Sequence, residues 1–150
     1  MSAANNQRPF LAVYALILKG DEILVMQRQN TGYADGQWSI PSGNVEPNES
    51  LFRAASRELL EETGLIVAED QWRMGCVMHR FTPERHCMDL FPVALAFKGA
   101  PENREPHKCG GVGFVSLDSL PDPFLQYVGE AITAIRANRQ ETVYIECGWG

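Results

Sequence analysis

The segment Gly43–Leu65 constrains this chain more than any other, because it combines a helical apolar pattern with charged residues at fixed spacing. Ser50 supplies a side chain suited to capping a helix N-terminus, and Glu49 places negative charge near the first turn, where the helix dipole favours it. Gly64 lies where a left-handed residue ends a helix. Apolar side chains recur every three or four residues and predict a buried stripe: Phe52, Ala55 and Leu59.

Three glutamates of this helix, Glu58, Glu61 and Glu62, have the spacing i, i+3 and i+4, which gathers their carboxylates on one face. Like charges at this spacing destabilise a helix, and a hard divalent cation bound by several oxygen ligands would offset the repulsion. Arg57 lies beside the cluster and could orient one carboxylate through a bidentate contact. On these three residues alone, a solvated acidic face is the other interpretation.

Reduced to its specified positions, the segment reads Gly43, Glu49, then Arg57-Glu58-Leu59-x-Glu61-Glu62-x-Gly64-Leu65. This spacing resembles the Nudix box, and the chain is similar to the Nudix hydrolase family of MutT-like nucleotide pyrophosphohydrolases. The resemblance implies an α+β fold, in which a mixed β-sheet is sandwiched between helices. It also implies structural roles within the motif for Glu49 and Gly64.

The resemblance further implies a site for one to three Mg²⁺ ions, with Mn²⁺ as an alternative. The implied ligands are the Gly43 carbonyl and the carboxylates of Glu58, Glu61 and Glu62. Glu58 is the family's usual candidate for the general base, and we leave that role shared with Glu105, an acid in the later loop. Glu102 is the second candidate there, and a solvent-exposed acid is the alternative for both. Arg57 completes the catalytic set by orienting a carboxylate together with Glu49.

Two residues outside the motif are candidates for substrate binding. Arg28 follows an apolar strand, where family members often carry a basic residue close to the bound phosphates; an ordinary surface arginine is the alternative. Ser39 matches the position at which oxidised-purine hydrolases of the MutT type carry a base-reading asparagine. A serine hydroxyl offers fewer hydrogen bonds for recognising a base than an asparagine amide does. Trp38, next to it, is expected in the core.

Composition restricts the class of protein. The 150 residues fit one domain, 1–150, with residues 1–8 as a flexible tail. The net charge of −6 gives no general attraction for polymeric nucleic acid, and no apolar run approaches the length needed to span a bilayer. The four cysteines lack zinc-site spacing, so we expect reduced thiols in a cytoplasmic protein. Monomer and homodimer are both open.

Strand patterns cover residues 10–18, 22–29, 38–43, 65–82, 86–97, 115–117 and 142–147. Residues 99–113 are predicted to form a long, glycine-rich loop, and residues 124–138 a second helix with an apolar face. Strands on both sides of one internal helix predict an α+β sandwich.

The leading functional hypothesis is Mg²⁺-dependent hydrolysis of a nucleoside diphosphate linked to a group X. For a (deoxy)nucleoside triphosphate, the products are the monophosphate and pyrophosphate. Dinucleoside polyphosphates, nucleotide sugars and ADP-ribose remain alternatives. A nucleotide-sensing module without catalysis is a hypothesis of another class, but such modules usually lose box carboxylates that are intact here. Isomerase chemistry on an isoprenoid diphosphate is a third.

Overall fold

The computed structural model describes residues 8–148, within which nine strands and two helices follow each other in chain order. The strands are β1 (Phe10–Tyr14), β2 (Leu18–Lys19), β3 (Glu22–Arg28), β4 (Trp38–Ser39), β5 (Ser42–Asn44), β6 (Trp72–Phe81), β7 (His86–Ala94), β8 (Cys109–Ser116) and β9 (Val143–Cys147). The helices are α1 (Leu51–Thr63) and α2 (Gln126–Ala137). The predicted tail at residues 1–8 lies outside the described residues except for Arg8. None of the described helices is long and apolar enough to cross a membrane.

The larger sheet has five strands in the order β5-β1-β7-β6-β9. β1 is parallel to β7 and antiparallel to β5, while β6 is antiparallel to β7 and parallel to β9. A parallel pair needs a crossover connection, and each one here contains a helix: α1 lies between β1 and β7, and α2 lies between β6 and β9. The sheet is therefore mixed.

The second sheet has four strands arranged around β3. β3 pairs with β2 through its first residues, with β4 through Met26 and Gln27, and with β8 along its whole length. These pairings bring Ser39 and the end of β3 to the same region as β5, which contains Gly43.

Alternation along residues 13–17 divides the interior into two cores, because successive side chains of an extended segment point to opposite faces. Tyr14 and Leu16 pack in a cluster with α2, whereas Val13, Ala15 and Ile17 pack in a cluster with α1. Tyr127 is buried together with the apolar face predicted for the second helix: Leu125, Val128, Ala131, Ile132 and Ile135. Helices thus cover both sides of the mixed sheet, and the predicted α+β fold is confirmed.

Helix α1 begins and ends where its sequence predicts. The Ser50 hydroxyl accepts a hydrogen bond from the Arg53 backbone N–H at 3.2 Å. Gly64 has φ of 80° and donates its N–H to the Leu60 carbonyl, which closes the last turn. Of the predicted apolar stripe, Ala55 and Leu59 are fully buried and Phe52 is half-buried.

Two predicted boundaries are clearly wrong: the strand pattern at 65–82 forms a strand only from Trp72, and the loop at 99–113 ends early. The loop ends at residue 108 rather than 113, because β8 begins at Cys109 and pairs with β3 as far as Ser116. Gly111 lies within this strand, and a Cβ there would be only 3.1 Å from the Trp38 ring. The glycine permits close approach of β8 to Trp38 and does not mark a loop.

Candidate active site

A cleft of about 990 Å³ opens where the two sheets and α1 meet. Acidic side chains of α1 border it together with several cationic and aromatic side chains from the strands. Its lining includes Arg28, Ser39, Gly43, Arg57, Glu58, Glu61, Glu62, Arg80, Asp89, Glu105 and Tyr127. Every substrate-binding, catalytic and metal-binding residue predicted from the sequence therefore borders one cavity.

Glu58 and Glu62 form a close pair of carboxyl groups in the cleft. Glu62 is buried and accepts a hydrogen bond from the Ser42 backbone N–H at 3.2 Å. Burial, followed by the hydrogen bond and the negative charge of Glu58, raises the pKa of Glu62 well above its ordinary value. The charge of Glu58 thus disfavours ionisation of the buried Glu62, so this site attracts a proton or a cation.

Gly43 is needed because the Glu58 carboxyl group lies directly against its backbone. A Cβ at this position would overlap the Glu58 carboxyl carbon and both carboxyl oxygens. Any side chain on residue 43 would thus displace the carboxylate, which explains in physical terms why a glycine opens the motif. The pairing of β5 with β1 fixes the position of Gly43 opposite Val13.

Arg57 is held by several oxygen atoms at once. Its Nε and Nη2 donate to the two Glu49 carboxylate oxygens at 2.6 and 3.0 Å, and Nη1 donates to Glu58 Oε1 at 2.9 Å. Nη2 also donates to the Asn44 carbonyl at 3.1 Å. The bond from Arg57 is the main cause that lowers the pKa of Glu49 to about 2. Arg57 thereby connects the entry to α1 with the Glu58 carboxylate.

Glu61 is the most exposed of the three glutamates. Its side chain is 50% exposed, and its Oε2 lies 3.4 Å from Arg57 Nη1. With these side-chain positions, no group of three or more His, Cys, Asp or Glu side chains between residues 8 and 148 converges on a point that could hold a metal ion. Glu58 and Glu61 both contact Arg57 Nη1, so the three glutamates predicted as metal ligands border one cleft without meeting at one point.

The loop at residues 99–108 separates the two acids proposed from the sequence. Glu105 is half-buried, borders the cleft and adds to the negative charge that raises the pKa of Glu62. Its backbone carbonyl accepts hydrogen bonds from the N–H groups of Lys108 and Cys109, which fix its position before β8. Glu102 is exposed and forms an ion pair with Arg104 at 3.4 Å, so it lies outside the cluster.

Arg28 borders the cleft, but its guanidinium donates hydrogen bonds to the loop that follows β3. Its Nε donates to the Tyr33 carbonyl at 2.9 Å, its Nη2 donates to the Thr31 hydroxyl at 3.2 Å, and its guanidinium lies 5.3 Å from the Tyr33 ring. Asp35 accepts hydrogen bonds from the Thr31 hydroxyl and backbone, which are the main causes of its lowered pKa. Arg28 therefore organises the loop at residues 29–37 at the edge of the cavity.

A second set of polar groups in the cleft comes from the centre of the larger sheet. Arg80 on β6 donates from Nε to Asp89 Oδ2 on β7 at 2.7 Å, and its guanidinium lies 3.8 Å from the Tyr127 ring centroid. Tyr127 and Tyr14 share a hydrogen bond between their hydroxyl groups at 2.8 Å. Ser39 Oγ and Asp89 Oδ1 are buried without a hydrogen-bond partner among the described residues.

The pKa values of Arg80 and Asp89 are both raised, which favours the charged form of Arg80 but disfavours the charged form of Asp89. Burial raises the pKa of Asp89 in spite of the opposing effect of Arg80. Burial also disfavours the charge of Arg80, but Asp89, Tyr127 and Tyr14 together raise its pKa. We treat both groups as charged, because a guanidinium does not lose its proton in proteins and lies 2.7 Å from the carboxylate.

Sequence reasoning missed Arg80, Asp89, Tyr14 and Tyr127. One signal was available: Asp89 interrupts the apolar run of residues 87–94 within a strand expected near the sheet centre. An ionisable side chain in a buried strand is unusual unless it is paired. Its partner could not be read from the sequence, since only the pairing of β6 with β7 brings the two strands together.

Comparison with known proteins agrees with this geometry. The family model described as NUDIX domain matches residues 8–135. The chain belongs to the Nudix family. The resemblance seen in the motif is thereby confirmed, and it extends well beyond the box itself.

The matches to individual relatives cover different shares of this chain and of the relatives. An 8-oxo-dGTP diphosphatase of Proteus vulgaris is 35% identical over 80 residues, which are 53% of this chain and 70% of that protein. An ADP-ribose pyrophosphatase of Methanocaldococcus jannaschii is 41% identical over 58 residues, 39% of this chain and 34% of that protein. The crystal structure of a MutT NUDIX hydrolase from Burkholderia pseudomallei superposes with a TM-score of 0.78 at 28% identity, covering 85% of this chain and 98% of the other.

Not all relatives are matched over their full length. This chain spans between 14% and 49% of six curated relatives that it matches. The names of the two curated relatives described above differ in substrate, from an oxidised nucleoside triphosphate to ADP-ribose.

Proposed function

We propose that this chain is a Mg²⁺-dependent pyrophosphohydrolase that cleaves a (deoxy)nucleoside triphosphate to the monophosphate and pyrophosphate. The observation that carries the proposal is the close pair of Glu58, which lies against Gly43, and the buried Glu62, in a cleft that also contains Arg28 and Lys108. Carboxylates that repel each other favour a dication, and cationic groups in the same cavity favour a polyphosphate.

The donor set fits a divalent cation in two respects. Glu58 is already close enough to Glu62 to disfavour the charge of Glu62, a repulsion that a dication would relieve. The half-exposed Glu61 would join them as a third ligand by rotating away from Arg57, and the Gly43 carbonyl would be the fourth. When bound, Mg²⁺ or Mn²⁺ neutralises phosphate charge and lowers the pKa of a bound water.

The protein groups around the pair have separate roles in this proposal. Arg57 holds the Glu58 carboxylate in place through the 2.9 Å bond and is itself held by Glu49. Glu105 contributes as an acid or base from the loop, because its negative charge already contributes to the raised pKa of Glu62. Glu58 and Glu105 share the role of general base, and Arg28 and Ser39 bind substrate.

A nucleoside triphosphate is the proposed substrate because the similar Proteus vulgaris protein is named for an oxidised one and covers more than half of this chain. Hydrolysis of a dinucleoside polyphosphate, a nucleotide sugar or ADP-ribose would assign a different X group to the same chemistry. We also propose a cytoplasmic location, which the four free thiols support, and a monomer or homodimer that binds small nucleotides and not nucleic-acid polymers.

The experiment measures phosphate and pyrophosphate release from a nucleotide panel, with Mg²⁺ or with chelator. The proposal expects Mg²⁺-dependent release of pyrophosphate from a nucleoside triphosphate, and a loss of at least about 100-fold in Glu58→Gln. Glu69→Gln is the matched control, since Glu69 is an exposed acid paired with Arg53 outside the cleft. Tight nucleotide binding without hydrolysis across the panel would overturn the proposal in favour of a sensing module.

A further inference from the structure

Arg80 has an unusual combination of burial and unused donors. Only 10% of its side chain is exposed, yet it borders the cleft. Its Nε is bound to Asp89, but within residues 8–148 no hydrogen bond links either Nη atom to another group. A guanidinium has five N–H donors, so most of its hydrogen-bonding capacity is directed at the cavity rather than at the protein.

The position of this guanidinium is fixed from several sides. Asp89, which is fully buried, binds Nε at 2.7 Å, and the Tyr127 ring lies 3.8 Å from the guanidinium carbon. Tyr14 holds Tyr127 through the 2.8 Å bond between their hydroxyl groups, and it also stacks on Phe91 at 4.9 Å. Because the supporting groups lie on β1, β7 and α2, the Nη end of Arg80 is held in a single orientation.

This arrangement does not have a purely structural explanation. A buried ion pair rarely stabilises a fold more than apolar residues of the same volume would. Here the pair is also incompletely satisfied, because Asp89 Oδ1 has no hydrogen-bond partner among the described residues. Ser39 Oγ, another orphan oxygen, borders the same cavity. Unsatisfied polar groups in a cleft are expected where a ligand completes their hydrogen bonds.

We infer that Arg80 determines base specificity, by donating from its two Nη atoms to two adjacent hydrogen-bond acceptors on the edge of the nucleobase. Asp89 is a positioning residue that holds the guanidinium through its Oδ2 atom. The inference rests on the proposed function, since it names the base of the same nucleotide. Arginine recognises guanine in this bidentate manner through O6 and N7.

The acceptor pattern defines the class of base. Guanine offers O6 beside N7, and cytosine offers O2 beside N3, so both match two parallel donors. Adenine and uracil alternate donors and acceptors along their edges and match only one. In 8-oxoguanine N7 carries a hydrogen, so that this edge no longer offers adjacent acceptors. The structure therefore favours guanine or cytosine nucleotides over adenine, uracil and 8-oxoguanine nucleotides.

The test compares kcat/KM of the wild-type protein and of Arg80→Lys for dGTP, dCTP, dATP, dUTP and 8-oxo-dGTP with Mg²⁺. Lysine keeps the positive charge but cannot form the bidentate contact. The wild-type protein should prefer dGTP or dCTP over dATP by roughly 10- to 100-fold, and Arg80→Lys should lose most of this preference through KM. A preference of the wild-type protein for dATP, dUTP or 8-oxo-dGTP overturns the inference.

Arg136→Lys is the matched control, because Arg136 pairs with an exposed aspartate, Asp118, and does not border the cleft. It should leave the base preference unchanged. Equal base preferences in the wild-type protein and Arg80→Lys also overturn the inference, even if both hydrolyse nucleotides well. The double variant Arg80→Met/Asp89→Leu removes the pair without leaving a buried charge, and it should also lose the preference.

A binding measurement separates this inference from the proposed function. Calorimetric titration with GMP, CMP, AMP and UMP in the presence of chelator needs no turnover. Weaker binding of AMP and UMP than of GMP or CMP in the wild-type protein, with the difference lost in Arg80→Lys, supports the inference. If no nucleotide is hydrolysed, the proposed function fails, while this titration still decides the role of Arg80.

Discussion

Arg57 and Arg80 border the same cleft, and each is held by a buried carboxylate, but they differ in how many of their donors the protein uses. Arg57 donates to both oxygens of Glu49, to Glu58 and to the Asn44 carbonyl. Arg80 makes one carboxylate contact, from Nε to Asp89. Arg57 is also the more exposed of the two, at 26% against 10% of the side chain.

The difference assigns the two arginines to different tasks. A guanidinium whose nitrogens are all bound by protein oxygens can orient its partners but has little capacity left for a ligand. A buried guanidinium with unbound Nη atoms is prepared for a ligand and is incomplete without it. In our proposals, Arg57 acts on the reacting phosphates indirectly by orienting Glu58, whereas Arg80 contacts the base directly.

The largest expected effect comes from leaving Arg80 without its partner. Asp89→Asn removes the carboxylate that binds the buried Arg80 guanidinium, and we expect the free energy of unfolding to fall by about 3–5 kcal/mol. Denaturant unfolding of the chelated protein measures this loss. The double variant Arg80→Met/Asp89→Leu should recover most of it. A loss as large in the double variant would show that shape, and not charge, explains the pair.

Arg57→Lys should have the next largest effect, and on catalysis rather than on base choice. Lysine cannot bind both Glu49 oxygens and Glu58 together, so the Glu58 carboxylate loses its orientation. We expect kcat to fall by about 10- to 100-fold, the usual loss when a residue that orients a ligand is replaced. The same factor should apply to every nucleotide in the panel. A change in base preference would contradict the division of tasks between the two arginines.

The smallest expected effect concerns Glu49 and depends on pH. The pKa of Glu49 is lowered to about 2 in the folded protein, so its stabilising contribution is complete above its ordinary value of 4.5 and disappears as pH falls towards 2. Glu49→Gln should therefore lower the free energy of unfolding by about 1–2 kcal/mol at pH 7, and by progressively less at pH 4 and pH 3. Chemical denaturation at these pH values gives the difference.

Glu69→Gln is the control for that series, because its ion pair with Arg53 lies in solvent and exposed pairs contribute little. It should leave stability nearly unchanged at each pH. A loss in Glu49→Gln that stays constant from pH 7 to pH 3 would show that Glu49 acts through packing instead of through its charge.

The sequence was sufficient for features that depend on near neighbours. Ser50, the apolar stripe and Gly64 defined α1 because helix capping and periodicity act within a few residues. The spacing of Arg57, Glu58, Glu61 and Glu62 likewise placed their side chains around one face, and the box identified the family. The boundary of β8 was wrong because glycines normally indicate a loop, whereas here Gly111 accommodates a ring from another strand.

Tertiary structure alone decided which charges meet. Glu61 turned towards Arg57 because its half-exposed side chain is free to choose among rotamers, and spacing on a helix does not specify that choice. Arg80 and Asp89 are nine residues apart on two strands, and the bond between them depends on the register of a hairpin. Tyr14 and Tyr127 are separated by 113 positions. Local sequence determined the part of the cleft on α1 where we propose that the reaction takes place. Long-range strand pairing built the part around Arg80 that we assign to the base.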